Sequence, residues 1–196
     1  MNKNMIKRSL RFSISIAVIT FVLAAIFSIA SNIALEGTIW SLGLIIVFLI
    51  VFIGVFFDMM GIAAAAATEP PFHSMAAEKI VGAKESIVIV RNADRFASFC
   101  NDVIGDIAGI VSGVAATIVV FQLVNVIDLG QSSLNTILTS IVAAVTVGGK
   151  AFGKTLAMTK STEIILLAGK TVSFIENKMH IRILPSLKKK NKKQEI

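Results

Sequence analysis

Asp58 is the residue with most chemistry to explain. It lies in Phe56-Phe57-Asp58-Met59-Met60-Gly61-Ile62-Ala63 and is the only Asp, Glu, Lys or Arg between Glu36 and Glu69. A carboxylate within such an apolar run costs about 3 kcal/mol on insertion scales, so it marks a functional site unless it has a structural partner. Asp102 and Asp106 stand four residues apart, with Asn101 just before them. On a regular helix the two aspartates share a face. Together with Asp58 they offer hard oxygen ligands of the kind Mg²⁺ takes. The other reading is a helix start with acidic side chains near the positive end of its dipole. The candidate metal set is therefore Asp58, Asp106 and Asn101, with Mg²⁺ as a bound or transported ion and no other cofactor implied.

Other candidates carry less. His73 and His180 fit no zinc spacing and lie in juxtamembrane segments with no evident catalytic partner. Cys100 is the single cysteine, so no disulfide forms within the chain. Nothing here points to an enzyme. Gly148-Gly149-Lys150-Ala151-Phe152-Gly153-Lys154-Thr155 matches the phosphate-binding loop expression in full. That loop needs a strand before it and a second acidic Mg²⁺ ligand on another strand. The apolar run before it reaches back to Leu129, which is span length rather than strand length. Nucleotide binding is set aside.

The elements that position these residues are long and apolar. The chain is 55% hydrophobic and 16% charged, far from a soluble domain. Phe12–Leu35, Gly37–Phe57 (continuing through Ala63–Ala67), Ile107–Ile127 and Leu129–Gly149 are runs without Lys, Arg, Asp or Glu, or broken only by Asp58 and Asp128. Each is long enough to cross about 30 Å of hydrocarbon. The fold class is all-α: a membrane bundle of four spans with juxtamembrane helices. Pro70 and Pro71 stop the second span, and Ala76–Val90 reads as an amphipathic helix on the membrane surface. A second amphipathic segment runs from about Glu163 to Ile175, ahead of the polybasic tail Lys188–Ile196. Gly105, Gly109 and Gly113 recur every four residues, a smooth face against which another helix packs closely.

Charge sets the orientation. Of nineteen Lys and Arg, four precede the first span, four lie in 69–106 and eleven from Lys150 onward; the remaining loops hold only Glu36 and Asp128. The positive-inside rule puts both termini in the cytoplasm of a multi-pass inner (plasma) membrane protein. The net charge of +7 flanks apolar runs and covers no globular face, so the bilayer is the partner and nucleic acid is not. The first span, with its basic start and Ser28-Ile29-Ala30, also reads as a signal peptide, although the run is long for one.

From Phe56 the chain resembles the transmembrane domain of the CNNM/CorC (CorB-like) magnesium transporter family. Phe56–Ala63 stands where that family has Phe-Phe-Ser-Ala-Ser-Glu-Thr-Ala. Gly82-Ala83-Lys84 matches the end of its juxtamembrane helix, and Asn92-Ala93-Asp94-Arg95-Phe96-Ala97-Ser98 the turn after it. Gly149-Lys150-Ala151-Phe152-Gly153-Lys154-Thr155-Leu156-Ala157 matches the Gly-Glu-x-x-Pro-Lys-Thr-Leu-Ala that ends its last span. The resemblance implies residues 1–36 as a tail with an extra first span, 37–183 as the family-like domain and 184–196 as a cytoplasmic tail. It implies divalent-cation transport or homeostasis, with a homodimer or another membrane protein as partner. The departures fall on the ion site, where Asp58, Met60, Gly61 and Ala108 align with the family's ligands and Lys150 with its glutamate. They favour the alternative: a non-transporting partner or regulatory subunit. Lys150 needs a carboxylate partner in hydrocarbon, and Asp58 and Asp106 are the candidates; otherwise it snorkels to the headgroups.

Overall fold

The computed structural model describes residues 3–124, 126 and 130–179. The described chain is helical, without strands. Helix α1 is Lys3–Leu35, α2 Trp40–Ala66, α3 Glu69–Ala77 and α4 Ala83–Arg91. Helix α5 is Ala93–Leu123 and carries a π-helical segment at Phe99–Gly105. Helices α6, Gln131–Thr159, and α7, Ser161–Met179, complete it. Four of these, within α1 and in α2, α5 and α6, are long and apolar enough to span a bilayer. The chain is a multi-pass integral membrane protein.

The spans form a three-helix bundle with a fourth helix outside it. Val47 and Val51 of α2, Ala115 and Val119 of α5, and Leu134, Leu138 and Val142 of α6 make one buried core. Helix α1 lies against α5, where Val103, Ile107 and Val111 meet Ile16 and Leu23. Most of α1's large apolar side chains face outward, Phe21 at 75% exposure. Exposed apolar surface of this extent is what a bilayer covers.

Below the bundle α3, α4 and α7 form a belt under the end of α2. Its core joins Ala63 and Ala64 to Phe72, Ile87, Ile89, Ala157 and Ile165. The prolines do more than stop α2. Pro70 and Pro71 open α3, where a missing N–H costs nothing. The expected helix over Ala76–Val90 is two helices. The chain breaks between Ala77 and Ala83, with Lys79 at φ +60 and Gly82 at φ +87. The break seats α4 on α7: a methyl at Gly82 would lie 2.5 Å from Lys170 N. Buried Ser86 donates its hydroxyl to Gly82 O (2.8 Å) and Ile165 O (3.0 Å) across that crossing. Glu69 ties the far ends together, accepting from Arg91 Nε at 2.9 Å and His73 Nε2 at 3.1 Å. Burial works to raise the Glu69 carboxyl, but these two hydrogen bonds and the adjacent charges outweigh it and hold it below its ordinary value.

The phosphate-loop lookalike Gly148–Thr155 is uninterrupted helix inside α6. Asp128, His180 and the 184–196 tail lie outside the described residues.

Candidate functional site

Three spans meet at Asp58. Its carboxylate is eight residues before the end of α2, about 12 Å inside that helix, and is 14% exposed. Lys150, on α6, puts Nζ 3.6 Å from Asp58 Oδ1 and 3.9 Å from Asp106 Oδ1 on α5. One ammonium thus faces two carboxylates, one from each neighbouring span. A cation in apolar surroundings holds its place only with such partners. Asp106 is the more open of the two, at 66% exposure.

Glycines make the meeting possible. A methyl at Gly105 would lie 3.5 Å from Asp58 Oδ1 and 3.7 Å from Lys150 Nζ. On α6, a methyl at Gly149 would lie 3.0 Å from Val55 Cγ2, and one at Gly153 3.4 Å from Met59 Cβ. On α2, a methyl at Gly54 would lie 2.7 Å from Ala108 Cβ, and one at Gly61 would run into Asn101 Oδ1. Gly43 closes the same interface higher up, where a methyl would lie 2.6 Å from Val119 Cγ2. Without side chains at these points the backbones approach closely enough for a lysine to bridge them.

Asn101 lies one turn from Gly105, nearer the belt. Its Oδ1 is buried against Gly61 and has no hydrogen-bond partner. It falls within the π-helical segment, which ends on Gly105. A π turn adds residues to a helical turn and re-aims the side chains after it, and such turns recur at functional sites. Asp102 is exposed and makes no ion pair among the described residues, whereas Asp106 meets Lys150.

The glycine face expected on α5 is corrected. Gly105 packs into the site, but methyls at Gly109 and Gly113 would meet nothing within 4 Å. The face that α5 turns to α2 and α6 instead carries Ala108, Ala115, Ala116 and Val119. The close-packing glycines sequence reasoning missed are Gly43, Gly54 and Gly61. Their spacings of eleven and seven residues are each near a whole number of helical turns, and that was the available signal. His73 joins Glu69 and Arg91 rather than a metal set. Among the described residues no three His, Cys, Asp or Glu side chains cluster so as to hold a metal ion. As arranged, with an ammonium between its carboxylates, the Asp58–Asp106 pair does not fit a divalent cation at the same time.

Comparison with protein-family models, with curated proteins and with solved structures returned no match.

Proposed function

We propose that this is a membrane protein of CNNM/CorC-like build in which Lys150 stands where a divalent cation would bind. It then serves divalent-cation homeostasis as a non-transporting partner or regulatory subunit, paired with a second copy or another membrane protein. The observation that carries this reading is the ammonium between Asp58 and Asp106, 3.6 and 3.9 Å from their oxygens. A tethered charge at that point satisfies both carboxylates without an ion. The charge distribution favours an inner (plasma) membrane setting with the belt and both termini on the cytoplasmic side.

One observation favours a transporter instead. Both Lys150 contacts exceed the roughly 2.8 Å of a charge-assisted hydrogen bond, and Asn101 Oδ1 is buried and unpaired. A lysine held this loosely can withdraw, leaving two carboxylates and an amide oxygen for a hard cation. Equilibrium Mg²⁺ binding to the purified chain, with flux in liposomes, separates the two. The proposal expects neither saturable binding nor flux. Flux that disappears in Asp58→Asn would establish the transporter reading.

A further inference from the structure

Helix α1 leans on α5 and, with α2, walls an apolar cavity of about 240 Å³. Phe27, Ala30 and Ser31 of α1, Ile50 of α2, and Ile107 and Val111 of α5 line it. Ser31 is its one polar lining side chain. That residue is 8% exposed, and its hydroxyl has no hydrogen-bond partner. Other helix hydroxyls in this chain resolve the same problem locally: Ser15, Thr117, Thr139 and Thr146 each donate to the carbonyl four residues back. In a membrane helix that bond is the usual resort of a hydroxyl. Ser31 does not make it.

The cavity suits some occupants and rejects others. Water needs two to four polar partners, and a single hydroxyl does not supply them. Hydrocarbon suits the remaining wall. Ser31 lies four residues from the end of α1 at Leu35, about 6 Å along the helix, whereas Ile50 sits about 15 Å into α2. A hydroxyl near the membrane interface above a deeper apolar slot matches a lipid ester above its acyl chain. Phe27 and Ala30, both exposed, flank the way in from the bilayer. We propose that this cavity binds one acyl chain of a bilayer phospholipid, with the lipid's ester carbonyl accepting the Ser31 hydroxyl.

The full chain in nanodiscs of phosphatidylcholine carrying a diazirine on one acyl chain tests this. After irradiation, adducts are mapped by peptide mass spectrometry. Ile107 and Val111 are 2% and 3% exposed, so lipid reaches them only through the cavity. The proposal expects adducts there as well as at outward-facing Phe21 and Phe52. Ala30→Trp, which fills the slot with an indole, removes the inner adducts and leaves the outer ones. Ser31→Ala keeps the inner adducts but lowers their yield relative to the outer ones about five-fold, the worth of one hydrogen bond. Adducts confined to Phe21 and Phe52 in the unaltered chain would overturn the proposal. So would inner adducts that survive Ala30→Trp, or a relative yield unmoved by Ser31→Ala. Should Ala30→Trp fail to fold, the unaltered chain and Ser31→Ala decide the question alone.

Discussion

Helices α2 and α5 both carry glycines, and they use them in opposite ways. On α2, Gly43, Gly54 and Gly61 are pressed against Val119, Ala108 and Asn101. On α5, Gly109 and Gly113 have the close spacing associated with helix pairing, yet among the described residues nothing would lie within 4 Å of a methyl there. The spacing of small residues permits close approach and does not cause it. What decides it is the face that the neighbouring helix presents: α5 sets Val119, Ala108 and Asn101 against the α2 glycines, and of its own glycines only Gly105 lies beside Asp58 and Lys150.

That difference is open to direct attack. Gly61→Leu drives a branched side chain into Asn101 and, with Cβ already 3.1 Å from Ala97 O, leaves it no space. We expect a loss of about 3 kcal/mol, the upper end for overpacking, in denaturation of the detergent-solubilised protein. A stability equal to the parent's would show that α2 and α5 do not cross as described.

The belt crossing sharpens the same contrast with a glycine fixed by conformation as well as by space. Gly82→Ala must hold a left-handed φ of +87 and crowd Lys170 N. About 2 kcal/mol is expected from these two causes together. Protease protection of the α3–α4 segment that survives the substitution intact would contradict the tight crossing.

Glu69 supplies a smaller effect with a definite sign. Its carboxyl is held below the usual value by His73 and Arg91 against the opposing effect of burial. A carboxylate lowered in the folded state contributes stability above its unfolded pKa and loses it as pH falls through the folded one. Glu69→Gln is therefore expected to cost about 0.5 kcal/mol at pH 7, since the pair is partly exposed and screened. The gap from the parent should close below about pH 4.5, where the unfolded group protonates. A gap that widens in acid would reverse the sign of the argument.

Smallest of all is Gly109→Leu. With nothing within 4 Å of a methyl there, stability should stay within about 0.5 kcal/mol of the parent. A large loss would mean that a second polypeptide lies on this face.

The sequence made some of this visible and hid the rest for physical reasons. Membrane spans announce themselves because charge cannot be spread through them, so Asp58 and Lys150 stood out, and each was the other's plausible partner. The π-helical turn had no such announcement. Phe99–Gly105 packs against α2, and none of its residue types marks a π turn. Of the two aspartates only Asp106 meets Lys150, and Asp102 makes no ion pair among the described residues, which their spacing alone does not foresee. The break at Lys79–Gly82 was hidden likewise, because apolar periodicity continues through it. The partner of each glycine was the hardest to read, since a missing side chain leaves no pattern of its own.

The central claim is that Lys150 holds the place of an ion, and melting of the purified protein with and without Mg²⁺ tests it most directly. A ligand stabilises only a state that binds it. The unaltered chain should melt at the same temperature in millimolar Mg²⁺ as in salt of matched ionic strength. Lys150→Ala should melt lower in metal-free buffer, with two carboxylates left unpaired, and Mg²⁺ should restore part of the difference. A melting temperature of the unaltered chain that climbs with Mg²⁺ but not with matched salt would contradict the account.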